Sequence, residues 1–180
     1  MTGVRYLDLS NNNFSGEIPA SLITNCTALS SLMLSNNNLN GTLVNFNHHG
    51  SPYLDAVYLD GNKFTGTLPS NLSVSRYLDV GDNQLSGEIT STIQSSPNLV
   101  FLNLRGNRFK GRDLLFLCNQ TWLEALDLSN NKFSGRIPHC LHSSYIEYIS
   151  FAGNSFTGSI PGAFFGTSFR NLQELDLSNN

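Results

Sequence analysis

One phrase, Leu-x-x-Leu-x-Leu-x-x-Asn-x-Leu/Phe, recurs from end to end of the chain and restricts its fold more than any other feature. A regular period of 20–50 residues is typical of a solenoid, in which each unit buries its apolar face only by stacking on its neighbours. We therefore predict one coil per repeat. The spacings between successive Asn residues are 25, 25, 21, 24, 24, 23 and 26, for Asn12, Asn37, Asn62, Asn83, Asn107, Asn131, Asn154 and Asn180.

Two apolar residues, two positions apart, precede each repeat Asn, as in Leu7/Leu9 and Leu126/Leu128. This alternation predicts a short strand with one buried face. Stacked coils would line these strands up as a parallel sheet. The predicted fold class is an α/β-type repeat solenoid, a curved right-handed coil with a concave parallel β-sheet and few regular helices.

The repeat Asn residues are interpreted as structural. After each strand the chain must turn, which leaves backbone donors and acceptors pointing inward. An Asn side chain has one acceptor oxygen and two donor hydrogens, so it can bridge such groups between coils. An unpaired buried group costs about 1–3 kcal/mol, which favours Asn at this position.

The second half of the coil has its own phrase, Phe14-Ser15-Gly16-Glu17-Ile18-Pro19, which returns at Phe64, Phe133 and Phe156. Glycine permits a tight backbone there. The apolar residue before the proline can form a second inward strand, and proline fixes φ as the chain leaves it.

Composition excludes several classes of protein. The chain has 180 residues, of which 39% are hydrophobic and 13% charged, with a formal charge of −3. This charge does not suggest nucleic-acid binding. The longest apolar run, Leu114 to Cys118, is far shorter than the roughly twenty residues of a membrane span. No composition shift or linker divides the chain, which predicts one domain.

The full phrase, Leu-x-x-Leu-x-Leu-x-x-Asn-x-Leu-Ser-Gly-x-Ile-Pro, resembles the plant-specific class of extracellular leucine-rich repeats along essentially the whole chain. The segment from Leu117 to Leu141 is similar to the cysteine-bearing repeat of plant receptor-like protein ectodomains. The resemblance and an oxidising compartment favour a Cys118–Cys140 disulfide over two free core thiols. Cys26 is then the odd cysteine and is expected to be a buried thiol.

The ends of the sequence lead to an expectation about its extent. The chain begins directly on a repeat, stops at Asn180 inside another one, and shows no paired-cysteine cap. Solenoids need capping units. We expect residues 1–180 to form a single solenoid of about seven complete repeats plus a truncated one, as a fragment without end caps. Membrane attachment would then depend on parts outside this sequence.

Asn-x-Ser/Thr sequons mark candidate glycosylation sites. Their number is close to what the Asn, Ser and Thr content alone would produce, so it does not demonstrate secretion. Three of them, at Asn25, Asn71 and Asn119, are predicted on the convex side, where glycans would leave the concave sheet clear. The five sequons begin at Asn13, Asn25, Asn40, Asn71 and Asn119.

The outward positions of repeats 3 to 5 form the candidate partner-binding patch. They collect aromatic and Arg side chains, the types that dominate binding hot spots. For any one of these residues, a solvated strand face is the simpler interpretation. The patch comprises Tyr58, Arg76, Tyr77, Asp79, Phe101, Asn103, Arg105 and Arg108.

Acidic residues at Asp8, Asp79, Asp127 and Asp176 share the outward position between the two strand apolar residues, without a His in the same columns. That arrangement is a ladder rather than a catalytic constellation. The spacing of His139, Cys140 and His142 does not match a metal site. We expect no catalytic residue, cofactor or metal.

The resemblance implies a non-catalytic recognition module of a plant cell-surface receptor-like protein, acting in defence or development. It would bind a peptide, protein or glycan ligand on the concave face, with a co-receptor kinase as a further partner and no nucleic acid. The protein would face the outside of the plasma membrane. A secreted inhibitor of cell-wall-degrading enzymes and a structural scaffold remain alternatives.

Overall fold

The computed structural model describes residues 3–43, 46, 53–70, 72, 74–141, 145–166 and 169–180. Within these ranges the chain alternates short strands with brief helical turns. The strands are β1 (Tyr6–Asp8), β2 (Ser15–Glu17), β3 (Ser31–Met33), β4 (Asn38–Asn40), β5 (Ala56–Tyr58), β6 (Thr65–Thr67), β7 (Tyr77–Asp79), β8 (Gln84–Gly87), β9 (Phe101–Asn103), β10 (Arg108–Gly111), β11 (Ala125–Asp127), β12 (Lys132–Gly135), β13 (Tyr148–Ser150), β14 (Ser155–Phe156) and β15 (Glu174–Asp176). The helices are α1 (Ala20–Asn25) and α2 (Thr90–Gln94), with 3-10 turns at Leu115–Asn119 and Gly162–Phe165.

The odd-numbered strands form one parallel sheet of eight strands in chain order, one per coil. Their register follows the sequence repeat, so that Leu78 lies opposite Leu102 and Leu102 opposite Leu126. These middle residues of the strands point inward and are fully buried. The predicted solenoid with a concave parallel sheet is confirmed.

The even-numbered strands form a second layer, with β6, β8, β10, β12 and β14 in one sheet and β2 with β4 in another. The prediction that the apolar residue before proline forms this strand is wrong. In the first coil the strand is Ser15–Glu17, and it ends before Ile18. Proline is not the cause, because β8 also ends before the equivalent Ile89, in a coil where Thr90 replaces proline; the apolar residues Ile18, Leu68 and Ile89 are buried all the same.

The core lies between the two layers and runs the length of the solenoid. Phenylalanines from successive coils fill it, and Phe64, Phe109, Phe133 and Phe151 are fully buried. Phe156 packs edge-on against Phe151, with 5.4 Å between ring centroids. Because every coil shares its apolar residues with the next, the core positions the outward side chains of the concave sheet rigidly.

A left-handed turn follows every odd-numbered strand. The residue just before each ladder Asn has a positive φ, between 48° and 65° in all eight repeats. Only Gly adopts this conformation freely, and Asn and Asp are the best tolerated alternatives. This explains why the position is always one of these three, at Asn11, Asn36, Gly61, Asp82, Gly106, Asn130, Gly153 and Asn179.

Candidate functional site

The repeat Asn side chains bridge neighbouring coils. Asn107 is buried; its Nδ2 donates to the carbonyl oxygen of Val80 in the preceding coil (2.9 Å) and to those of Leu104 and Arg105 in its own. Its Oδ1 accepts from the backbone N–H of Leu85 at 2.9 Å. One side chain therefore satisfies groups on two coils and holds both turns in place.

The same pattern of bonds recurs at Asn37, Asn62, Asn83, Asn131, Asn154 and Asn180. Asn12, in the first repeat, donates only to carbonyls of its own coil, at Leu9 and Ser10. The ladder is thus a scaffold for the concave sheet and leaves its outward face to other residues.

The structure joins Cys118 and Cys140 by a disulfide, with 5.3 Å between their Cα atoms. It ties the 3-10 turn Leu115–Asn119 to the following coil, on the side opposite the concave sheet. Cys26 is a buried free thiol directly after α1.

Four sequon asparagines are exposed: Asn13, Asn25, Asn40 and Asn119. Asn25 ends α1 and Asn119 ends the 3-10 turn, so both lie away from the concave sheet. Asn40 ends β4 in the second layer. The fifth, Asn71, falls outside the described residues.

Most of the predicted patch comes together at the centre of the concave sheet. Tyr58, Asp79 and Asn103 form one continuous row across β5, β7 and β9. Tyr77 lies opposite Phe101 in a second row. The three aromatic side chains are half-buried, which leaves part of each ring accessible to a ligand.

Arg76 is engaged by its neighbours. Its guanidinium forms a two-pronged ion pair with Asp55 of the preceding coil, at 2.9 Å from Nε to Oδ1 and 2.6 Å from Nη2 to Oδ2. The guanidinium also lies 5.5 Å from the ring centroid of Tyr77, within the range of a cation–π contact. The hydrogen bond and the charge of Asp55 raise the pKa of Arg76. Arg76 thus orients Tyr77, and the guanidinium of Arg76 is already paired with Asp55.

Asp79 is buried at the centre of the patch. Its carboxylate accepts from the Gly81 N–H at 3.0 Å and from Asn103 Nδ2 at 3.1 Å. Burial raises its pKa to about 6, with a smaller push from the charges of Asp60 and Asp82 and opposition from its two hydrogen bonds. Burial also raises the pKa of Tyr58, and nearby Tyr77, Asp79 and Asp55 add to this shift.

The two remaining Arg residues of the patch lie in different places. Arg105 is exposed, two residues after β9, beside the concave sheet. Arg108 departs from the prediction, because it begins β10 in the second layer and its Nη2 donates to Gln84 Oε1 at 3.1 Å. The left-handed turn between Arg105 and Arg108 redirects the chain. The two residues therefore lie on different faces of the solenoid although they are only three positions apart in the sequence.

The family model described as Leucine Rich Repeat matches residues 3–25, 98–120, 122–144 and 145–166, just over half of the chain. The protein belongs to the leucine-rich repeat family. Among curated relatives, it is 37% identical over 133 residues to Receptor-like protein 35 of Arabidopsis thaliana. The match covers 73% of this chain but only 14% of that relative, so the chain spans a small part of its length.

Several solved structures with the same architecture are plant receptor ectodomains. One is the ectodomain of the membrane receptor kinase GASSHO1/SCHENGEN3 from Arabidopsis thaliana in complex with CASPARIAN STRIP INTEGRITY FACTOR 2; the TM-score is 0.88 at 30% identity, over 99% of this chain and 21% of that one. Another is the Arabidopsis receptor kinase HAESA with the peptide hormone IDA and the co-receptor SERK1, with a TM-score of 0.77 at 28% identity, over 97% and 30% of the two chains. In the described part of this chain, no helix is long and apolar enough to cross a membrane.

Proposed function

We propose that this chain is a ligand-recognition segment of the ectodomain of a plant receptor-like protein, and that its concave sheet binds a peptide. The observation that carries the proposal is the accessible, half-buried aromatic group of Tyr58, Tyr77 and Phe101 on one rigid sheet. Aromatic anchors that are ordered before binding lose little conformational entropy when a partner docks.

The relatives support the same function. GASSHO1/SCHENGEN3 and HAESA are receptor kinases whose solved complexes contain CASPARIAN STRIP INTEGRITY FACTOR 2 and the peptide hormone IDA. By analogy we assign a peptide ligand to this chain. Because the HAESA complex also contains the co-receptor SERK1, we include a co-receptor kinase among the partners, and we place the protein at the extracellular face of the plasma membrane.

The proposed function does not involve catalysis. We propose that residues 1–180 form one continuous solenoid and recognise the ligand as a single domain. The relatives named above are receptors, which favours recognition over the alternative of a secreted inhibitor of cell-wall-degrading enzymes.

The test is to pan the purified chain against a phage-displayed library of random peptides and to measure the affinity of enriched peptides by calorimetry. Truncating a true anchor costs at least about 2 kcal/mol of binding, or roughly 30-fold in affinity. We expect Tyr77→Ala and Phe101→Ala to lose this much. Tyr6→Ala is the matched control, because Tyr6 is an exposed aromatic residue on β1 of the same sheet.

Two results would contradict the proposal. Panning that enriches no peptide on the folded chain would argue against a peptide ligand. Enriched peptides that bind the Tyr77→Ala and Phe101→Ala variants like wild type would place the contact surface elsewhere. Circular dichroism of each variant shows whether the fold is intact.

A further inference from the structure

Trp122 and Tyr145 form an exposed aromatic pair on neighbouring coils. Their rings are stacked, with 5.5 Å between the centroids and 11° between the planes, yet 51% of Trp122 and 47% of Tyr145 remain exposed. Each residue lies three positions before its strand of the concave sheet. The disulfide between Cys118 and Cys140 joins the same two coils. The pair is therefore a fixed aromatic surface outside the strands of the concave sheet.

A glycosylation sequon, Asn119-Gln120-Thr121, immediately precedes Trp122 in the chain. Asn119 and Thr121 are exposed. Gln120 between them is buried, and its Nε2 donates to the carbonyl oxygen of Ile93 at 3.2 Å. This inward side chain holds the segment so that both residues that define the sequon face solvent. Three residues of chain span at most about 11 Å, so a sugar attached to Asn119 begins within reach of the Trp122 ring.

We propose that Asn119 carries an N-linked glycan and that the first N-acetylglucosamine of this glycan packs on Trp122. The modification forms a bond between Nδ2 of Asn119 and C1 of the sugar. It breaks the bond between C1 and the diphosphate of a lipid-linked donor, and the diphosphate leaves with one amide proton. The proposal rests on the extracellular location within the proposed function, because N-glycans are added to secreted chains.

The chemistry of the two partners explains the contact. One face of a sugar ring presents C–H groups with a partial positive charge, and the face of an aromatic ring has a partial negative charge. Because Tyr145 stacks on Trp122, the indole is held in one orientation before the sugar arrives. Little conformational entropy is then lost when the sugar packs on it.

The size of the pair favours a sugar over a protein partner. An aromatic side chain buries about 150–250 Å² when it is fully covered, so two half-exposed rings offer roughly 150–250 Å² together. A stable protein interface buries about 800 Å² on each partner. A glycan on Asn119 also stands between this surface and any protein that approaches it.

A second sequon at the equivalent position of the repeat gives an internal comparison. Asn25-Cys26-Thr27 and Asn119-Gln120-Thr121 both begin with the last residue of a helical turn. In both, the Asn and Thr are exposed and the middle residue is buried. The next residue is Ala28 in the first case and Trp122 in the second. The sequon at Asn25 therefore lacks the aromatic ring that follows Asn119.

The experiment secretes the chain from insect cells, maps glycan occupancy by mass spectrometry, and compares variants by acrylamide quenching and thermal melts. Trp122 is the only Trp of the chain, so tryptophan emission reports on this ring alone. We expect Asn119 to be occupied and Asn119→Gln to be quenched more strongly than wild type. The melting temperature of Asn119→Gln should be lower by about 2–4 °C, the shift of one aromatic contact in a domain of this length.

Matched variants separate the contact from other effects of the glycan. In a Trp122→Ala background, Asn119→Gln should leave the melting temperature unchanged, because the ring that the sugar contacts is gone. In a Tyr53→Ala background the loss should persist, since Tyr53 is an exposed aromatic residue at the equivalent position of its own repeat, without a sequon before it. Asn25→Gln should leave the quenching of Trp122 unchanged.

Three results would overturn the proposal: a secreted chain without a glycan on Asn119, equal quenching of wild type and Asn119→Gln, or an equal loss of melting temperature in the Trp122→Ala background. Self-association of the glycosylated wild type that Trp122→Ala abolishes would also overturn it, by assigning the pair to a second copy of the chain. None of these results bears on peptide binding by the concave sheet, which Tyr77→Ala and Phe101→Ala test separately.

Discussion

Replacing Asn107 by Ala tests whether the Asn ladder holds the coils together. The change removes the amide that accepts from the Leu85 N–H and donates to the Val80 carbonyl, both in the preceding coil. The Val80 carbonyl keeps its hydrogen bond from Asn83 Nδ2 at 3.2 Å, but the N–H of the buried Leu85 loses its partner, which costs about 1–3 kcal/mol. We therefore expect the free energy of unfolding to fall by roughly 1–3 kcal/mol, a substantial part of the roughly 5–15 kcal/mol typical of a domain.

Asn12 offers a matched control for the same substitution. It is exposed and bonds only within its own coil, to Leu9 and Ser10. Asn12→Ala should change stability by no more than about 0.5 kcal/mol, as for other surface changes. Urea denaturation followed by circular dichroism measures both variants. Equal losses for Asn107→Ala and Asn12→Ala would refute the view that bridging between coils, rather than the local turn, gives the ladder its stability.

Three further predictions concern the core, the disulfide and pH. Leu104→Ala should cost about 2–5 kcal/mol in the same denaturation experiment, because Leu104 is fully buried; an unchanged midpoint would contradict the inward register. Cys118→Ser/Cys140→Ser should lose roughly 3 kcal/mol by calorimetry in the chain-entropy model, and a wild-type melting curve would count against this. The pKa of Asp79 is raised to about 6, above the value of about 3.9 in an unfolded chain, so the unfolded state loses this proton first. Stability should then fall by about 2–3 kcal/mol as pH rises from about 4 to about 6. Thermal melts across this pH range measure the effect. Asp79→Asn should show little of the fall in stability, whereas the control Asp8→Asn, whose exposed carboxylate has a lowered pKa, should show the same fall as wild type. If the pH profile of Asp79→Asn is identical to that of wild type, Asp79 is not the cause.

The concave sheet could be predicted from sequence because its register repeats with the sequence. The inward residues Leu78, Leu102 and Leu126 are equivalent in the repeat and are also opposite each other in the sheet. A periodic apolar pattern therefore fixes both the strands and their neighbours. The row of Tyr58, Asp79 and Asn103 follows from the same register.

The second layer could not be predicted in this way because its register is offset from the repeat. Arg108, the residue after ladder Asn107, lies opposite Ser86, which is three residues after Asn83. Sequence equivalence therefore does not give the neighbours there. The expectation that Arg108 lies on the concave face is wrong because the intervening turn carries it into the second layer. The sequence contains a signal for the intervening turn, since an Asn, Asp or Gly precedes every ladder Asn. The direction in which the chain leaves the turn becomes clear only from the positive φ angles at these positions.

The two layers follow different rules for a physical reason that bears on function. Inward positions and ladder Asn residues are fixed by burial, since any change there leaves a cavity or an unpaired polar group. The outward acids of the concave sheet carry part of this cost as well, because each accepts a hydrogen bond from the backbone N–H two residues further on, at Asp8, Asp79, Asp127 and Asp176. The fold therefore accounts for acids such as Asp127, which accepts from the Ser129 N–H at 2.8 Å, whereas Lys110 and Lys132 on the second layer are exposed and are not fixed by packing. Charge on the concave sheet is thus partly a requirement of the scaffold, whereas charge on the second layer is free to follow what that surface contacts.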